Sequence, residues 1–125
     1  MIRGIGVDII EIARIRRDID VLGERFLDKL FTEGEVAYCS AKANPHQHYA
    51  ARFAAKEAVS KALATGWAGE FRWKDVEVTN DLSGQPRILL HGQLRRDLGD
   101  ASIHLSLSHS EAHVVAMALI EDHTT

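Results

Sequence analysis

Two carboxylates and one ammonium are the side chains of this sequence best suited to act together. Asp8 stands in the stretch GIGVDII, where Gly4, Gly6 and Asp8 fall on one side of a strand and Ile5, Val7 and Ile9 on the other. Glycine is poor in a strand interior unless something must approach the backbone closely, so Asp8 is an acid on a bare, glycine-lined face. Glu57 and Lys61 lie at i and i+4 in Ala51–Gly66, ARFAAKEAVSKALATG, with the acid N-terminal. Carboxylates donate to a hard divalent ion such as Mg2+, whose other positions go to phosphate oxygens and waters. An ammonium beside them suits phosphate too. The chemistry open to this trio is Mg2+-dependent chemistry on a phosphate. Two plainer readings share the pattern. Glu57 and Lys61 also have the spacing of a solvated ion pair, and Asp8 is also a favoured cap for a helix that follows it.

The elements that must position these residues follow from period and punctuation. Ala51–Gly66 has no proline and no interior glycine, which predicts a helix starting near His46 and closed by Gly66. Ala51, Ala55, Ala58 and Ala62 form one side, which lets the helix backbone lie close to its neighbour. Phe53, Glu57, Ser60 and Lys61 form the other. Ile2–Ile10 reads as a strand. From about Glu11 the period becomes helical, with Ile12, Ile15, Ile19 and Leu22 inward and Arg14, Arg17 and Val21 outward. Gly23 breaks that helix, Arg25–Phe31 adds a turn or two, and Thr32–Glu35 fits a capping box for a short helix from Glu33 to about Ala41. Asn44-Pro45 interrupts it, leaving His46 and His48 in a loop. Trp73–Thr79 and Pro86–Leu90 read as a hairpin about the turn at residues 80–84. Gln93–Leu98 is a short helix. Ile103, Leu105 and Leu107 alternate with His104, Ser106 and Ser108 as a half-buried strand, which puts His104 and His109 on opposite faces. His113–Ile120 is apolar on both faces, as a central strand is. The expected fold is α+β: one domain over residues 1–125, with a largely antiparallel sheet packed on a long central helix.

Composition narrows the function. A chain of 125 residues with 46% hydrophobic side chains builds only a modest core, which leaves room for oligomerisation. The single Cys39 forms no intramolecular disulfide, and the seven histidines make no metal motif. The longest apolar run, Val114–Ile120, is too short to span a bilayer, and the N-terminus has no signal-peptide core; both point to the cytoplasm. A net charge of −3 exerts no global pull on nucleic acid. No P-loop, G-x-G-x-x-G or G-x-S-x-G motif occurs. A serine- and histidine-bearing strand end remains at Ser106–Ser110.

Four segments together carry a family resemblance: GIGVDIIE at residues 4–11, RFAAKEA at 52–58, Asn80-Asp81 with Gly84-Gln85-Pro86, and HLSLSHS at 104–110. In order and spacing the chain resembles the holo-[acyl-carrier-protein] synthase family, the small 4′-phosphopantetheinyl transferases, over nearly its whole length. The resemblance implies the fold of that family. It implies transfer of 4′-phosphopantetheine from coenzyme A to a serine of an acyl carrier protein, for fatty acid biosynthesis, with adenosine 3′,5′-bisphosphate leaving. It casts Asp8 and Glu57 as Mg2+ ligands and Lys61 as the group that neutralises the leaving phosphate. Arg52 and His109 become phosphate contacts, and Ser83, Gly84 and Pro86 the turn at the adenine. Arg14, Arg25 and Phe26 become the surface for the acidic carrier protein. It implies a homotrimer with shared sites, and partners that are neither nucleic acid nor membrane.

Two departures from the family pattern concern the nucleotide. Relatives often carry adjacent basic residues where this chain has Lys42-Ala43-Asn44, which shifts the 3′-phosphate grip toward Lys42, His46 or His48. G-Q-P at 84–86 replaces the common G-K-P and removes one cation. The competing reading is a non-catalytic nucleotide- or protein-binding module of the same fold, against which Asp8, Glu57 and Lys61 stand together.

Overall fold

Residues 1–64 and 66–123 are described by a computed structural model. In chain order they form β1 (Ile2–Glu11), α1 (Ile12–Leu22), α2 (Glu24–Leu30), α3 (Glu33–Ser40), α4 (Pro45–Leu63), a 3-10 turn (Trp73–Asp75), β2 (Val76–Asn80), β3 (Pro86–Leu90), α5 (Gly92–Leu98), β4 (Ser102–His109) and β5 (His113–Glu121). The strands make two antiparallel sheets, one ordered β1-β5-β4 and the other the β2-β3 hairpin. The α+β arrangement and the central place of β5 are those expected.

Small residues set the spacing of the centre. The inward face of β1 is the glycine face, and α4 lies on it with its alanines. A Cβ added to Gly4 would strike the carbonyl oxygen of Ala62, and one added to Gly6 that of Ala58. Ala55, Ala58 and Ala62 are buried in this contact. Glycine in the strand thus buys close helix–sheet approach, at the cost of some backbone entropy. On the other side of β1, Ile5, Val7 and Ile9 stay 56–64% exposed, joined across β5 by Val115 and Met117.

Helix α4 begins at Pro45, one residue before the start expected near His46, so His46 and His48 are helical rather than in a loop. Asn44 is the cap, its Oδ1 accepting from the Gln47 N–H at 3.4 Å, and Pro45 takes the first helical position. Proline lacks a donor that this position does not use, and its fixed φ suits the helix, so Asn-Pro, besides separating α3 from α4, starts α4. The regular helix stops at Leu63, ahead of Gly66; Thr65 lies outside the described residues.

A buried ion pair ties α4 to the hairpin. The Lys56 ammonium, fully buried, donates to Glu35 Oε1 (2.8 Å) and to the carbonyls of Trp73 (2.9 Å) and Val76 (2.7 Å). These calls on the backbone give Trp73–Asp75 its 3-10 turn where a strand was expected, and the strand starts at Val76. Glu35 is satisfied throughout: Oε1 also accepts from the Thr32 N–H (2.9 Å), which completes the expected capping box, and Oε2 accepts from Val78 N–H (2.9 Å). Thr32 Oγ1 donates to Glu77 (2.8 Å), whose other oxygen lies 2.8 Å from His91 Nε2. A buried charge keeps its place only when paired and hydrogen-bonded in this way. Among the described residues no helix is long and apolar enough to cross a membrane.

Candidate active site

The proposed site residues form three groups. The first is the trio. Lys61 on α4 reaches across to β1, donating to Asp8 Oδ1 (2.9 Å) and to the Val7 carbonyl (3.1 Å). The hydrogen bond to Asp8, reinforced by that carboxylate's charge, raises the Lys61 pKa above the ordinary lysine value. Glu57 therefore forms no ion pair with Lys61 among the described residues, although the helical spacing permits one. Burial, with the charge of Asp8 second, raises the Glu57 carboxyl above its usual value; Lys61 and Arg14 pull the other way. The donor set fits a hard cation. Two carboxylates face one another's charge, Glu57 is not engaged by a protein donor among the described residues, and no group of three His, Cys, Asp or Glu gathers there or elsewhere among them. Such a site supplies two protein oxygens and leaves the rest of the coordination to substrate and water, as Mg2+ sites do.

The second group lines a cavity of about 390 Å³. Arg52 enters it from α4, Asn80, Gly84 and Pro86 from the hairpin, and His109 from β4. Arg52 is 4% exposed. Its Nη2 donates to Asn80 Oδ1 (2.8 Å), its guanidinium lies 4.2 Å from the Tyr38 ring centroid, and its Nε is buried with no partner among the described residues. Asn80 Nδ2 in turn donates to the Gly84 carbonyl (3.0 Å), holding the turn against the cavity. Ser83 points elsewhere, to Asp81. Lys61 is not part of this lining. His48, one of three residues toward which the family comparison shifted the 3′-phosphate grip, stands in the wall, and so does Tyr38, which sequence reasoning gave no role.

The third group, Arg14, Arg25 and Phe26, meets in a groove between α1 and α2, together with Lys29 and floored by Phe53 and Trp73. The Arg14 guanidinium sits 5.9 Å over the Phe53 ring, which stacks on Trp73 at 5.4 Å. Phe53, placed by periodicity on the side of α4 away from the alanines, is thus the link between the long helix and the groove. Arg17 does not line it.

One chain keeps the first two groups apart. Asp8 pairs with Ala116, and Ala116 with Leu107, so β1 and β4 flank β5 and lie roughly 10 Å from each other. Helix α4 runs over the middle. Arg52 and Glu57, five residues apart, leave it in directions about 140° from each other. Asp8 and Glu57 are on the β1 side, the cavity on the β4 side.

The model of the 4′-phosphopantetheinyl transferase superfamily matches residues 4–118 of the sequence. The chain belongs to that superfamily. Its curated relatives include the holo-[acyl-carrier-protein] synthase of Koribacter versatilis, 45% identical over 125 residues and covering 98% of this chain and 100% of the relative. Among solved structures this transferase superposes on the holo-[acyl-carrier-protein] synthase of Neisseria meningitidis with a TM-score of 0.86 at 31% identity, over 98% of this chain and 100% of that one. It superposes on the synthase of Bacillus anthracis, solved in complex with CoA (3′,5′-ADP), with a TM-score of 0.80 at 37% identity, over 97% of each chain. The transferase fold expected from the four sequence segments is therefore the fold observed.

Proposed function

We infer that this transferase is a holo-[acyl-carrier-protein] synthase: it moves 4′-phosphopantetheine from coenzyme A to a serine of apo acyl carrier protein, and adenosine 3′,5′-bisphosphate leaves. Full-length similarity to synthases supports the activity. The observation that carries the mechanism is the Asp8–Lys61 contact beside an unengaged Glu57. Asp8 and Glu57 would hold Mg2+, which when bound would supply charge neutralisation and orientation to the pyrophosphate. Lys61, its ammonium proton secured by Asp8, compensates the charge that collects on the leaving phosphate and can protonate it. The nucleophile belongs to the carrier protein, which accounts for a chain with no activated serine of its own. Arg52, His109 and the Gly84–Pro86 turn receive the nucleotide, with Ser83 at its edge.

The carrier protein docks on the groove of Arg14, Arg25 and Phe26, where, among the described residues, three cations, Arg14, Arg25 and Lys29, outnumber the one carboxylate, Asp18, over an aromatic floor, a balance that suits an acidic partner. The working unit is a homotrimer. Ile5, Val7, Ile9, Val115 and Met117 form an outward apolar sheet face of the kind that soluble monomers rarely display. Sites shared between copies would join what α4 separates in one chain. Residues 1–125 act as one domain, in the cytoplasm. The deciding experiment incubates an apo acyl carrier protein with this protein, coenzyme A and Mg2+ and measures the carrier's mass. A gain of one phosphopantetheine supports the enzyme. An unchanged mass, on a carrier that an established synthase modifies, leaves the non-catalytic binding module.

A further inference from the structure

The wall of the nucleotide cavity is one-signed. Among the described residues no carboxylate lines it. Arg52, nine-tenths buried, has a neutral acceptor in Asn80 and a buried Nε with no partner. His109 comes from β4. Lys42, after α3, lies with its ammonium 4.4 Å from the centroid of the Tyr38 ring, the ring on which Arg52 also rests. His48 stands one helical turn before Arg52 on the same side of α4, its ring edge-on to Tyr38 with centroids 5.8 Å apart. Guanidinium and ammonium stay charged at any working pH; an imidazole does not.

We propose that His48 is a proton-linked phosphate ligand, neutral in the free protein and taking up a proton from solvent when the 3′-phosphate of coenzyme A enters the cavity. The proposal rests on the reading of this cavity as the nucleotide site. Three cationic or ionisable neighbours face His48 from three places: Lys42 from the turn after α3, Arg52 from its own helix, and His109 from β4. Tyr38 of α3 contributes a neutral ring, and the hairpin contributes only neutral groups, Asn80 and Gln85. Burial first, and then the charges of Arg52, Lys42 and His109, hold the His48 imidazole below its ordinary value in the free protein. A phosphate dianion reverses the sign of the field and favours the imidazolium, typically by one to three pKa units for an opposite charge at this range. The added N–H donates to a phosphate oxygen, while the ligand leaves the ammonium and guanidinium protonated as before. Linkage then has a definite sign. Affinity gained through His48 is present at low pH and is lost as pH rises through the ligand-bound value, which lies above the free one. The cavity thereby discriminates a 3′-phosphorylated nucleotide from one without that group most strongly on the acid side of neutrality.

Isothermal titration at pH 7 in two buffers of different ionisation heat measures protons taken up per nucleotide bound. The ligands are adenosine 3′,5′-bisphosphate and adenosine 5′-monophosphate, and the proteins are wild type, His48→Gln and His48→Phe, the last keeping a ring against Tyr38. Wild type should take up about half a proton more than either variant with the bisphosphate. With the monophosphate the proteins should agree. The variants should bind the bisphosphate about tenfold more weakly than wild type at pH 6 and within about twofold at pH 8.5. Equal uptake in wild type and in whichever variant melts like wild type overturns the inference and leaves the nucleotide site standing. Failure of wild type to bind the bisphosphate at all overturns the nucleotide site and the inference with it.

Discussion

Lys61 Nζ lies 2.9 Å from Asp8 Oδ1 across 53 residues of chain, while Glu57, one turn away on the same helix, is left without it. The ammonium is drawn to β1 because the glycine face brings α4 close and because the Val7 carbonyl offers a second acceptor at 3.1 Å. Asp8 is thereby held in place by Lys61, and Glu57 keeps its lone pairs for something else.

That arrangement makes the two carboxylates non-redundant. Asp8→Ala and Glu57→Ala should each lower transfer by roughly 10²-fold or more, the scale of losing one electrostatic stabiliser. Titration of Mg2+ against each variant should show weakened binding of the ion. Full activity of wild type in excess chelator would remove the metal from the mechanism.

Arg14 borders the groove and, among the described residues, shares in none of the buried hydrogen bonds. Arg14→Glu should leave melting temperature and coenzyme A binding near wild type, since exposed substitutions usually stay within about 0.5 kcal/mol. It should raise KM for the carrier protein, and the difference should shrink as salt screens the charge. Arg17→Glu should do less, because Arg17 lies outside the groove. Steady-state kinetics at low and high salt decides this; a change confined to KM for coenzyme A would move the docking surface elsewhere.

The contact of Gly6 with Ala58 is backbone against backbone, so nothing there can swing aside. Gly6→Ala should cost at least about 3 kcal/mol, the upper range for overfilling a packed interior. Urea unfolding measures it, and a loss under 1 kcal/mol would mean that β1 and α4 separate more easily than their geometry indicates.

Ile5 and Met117 belong to the outward sheet face, away from the trio and the cavity. Ile5→Lys and Met117→Lys should shift sedimentation toward monomer and reduce activity per chain. Wild type should itself lose activity on dilution below its assembly range. A fully active wild-type monomer would rule out shared sites.

Glu77 gives a pH dependence. Burial alone would raise its pKa, but contacts with His91 and Thr32, and the charges of His91 and Lys56, outweigh burial and hold it below the ordinary 4.5. A carboxyl depressed in the folded state stabilises above its unfolded value, and that contribution disappears as pH falls through the folded one. Glu77→Gln should therefore melt below wild type at pH 7, and the two should converge as pH falls past the ordinary glutamate value and through the lower folded one. Parallel melting curves at all pH values would detach Glu77 from this linkage.

The fold was largely legible because its elements carry clean periods: alternation in β1, β4 and β5, the isoleucine stripe of α1, and the Thr32–Glu35 box. Asn44-Pro45 misled, since the same dipeptide ends one helix or opens another depending on whether the asparagine side chain finds an N–H ahead of it. Trp73–Asp75 misled because the carbonyls of Trp73 and of Val76, on either side of the turn, answer to Lys56, 17 and 20 residues away in sequence. Asp8, Glu57 and Lys61 were visible as types and spacing, yet their pairing was not: helical spacing favours Glu57 for Lys61, and only the closeness of β1 to α4 offers Asp8 instead. Tyr38 carried no local signal and His48 was reached only through the family comparison, because a cavity wall drawn from six elements has no period.

Lys56 and Glu57 are neighbours in sequence with opposite duties, and the first constrains the second. Three short hydrogen bonds from Lys56, one to a carboxylate and two to carbonyls, act like a key in a shaft: they fix the roll of α4 about its own axis. A carboxylate oxygen about 6 Å from that axis travels roughly 1 Å for each 10° of roll, a displacement on the scale that costs catalysis about 10²-fold. The angular setting of the helix, and with it the spacing between Glu57 and Asp8, is therefore held from the interior, about 100° around α4 from Glu57.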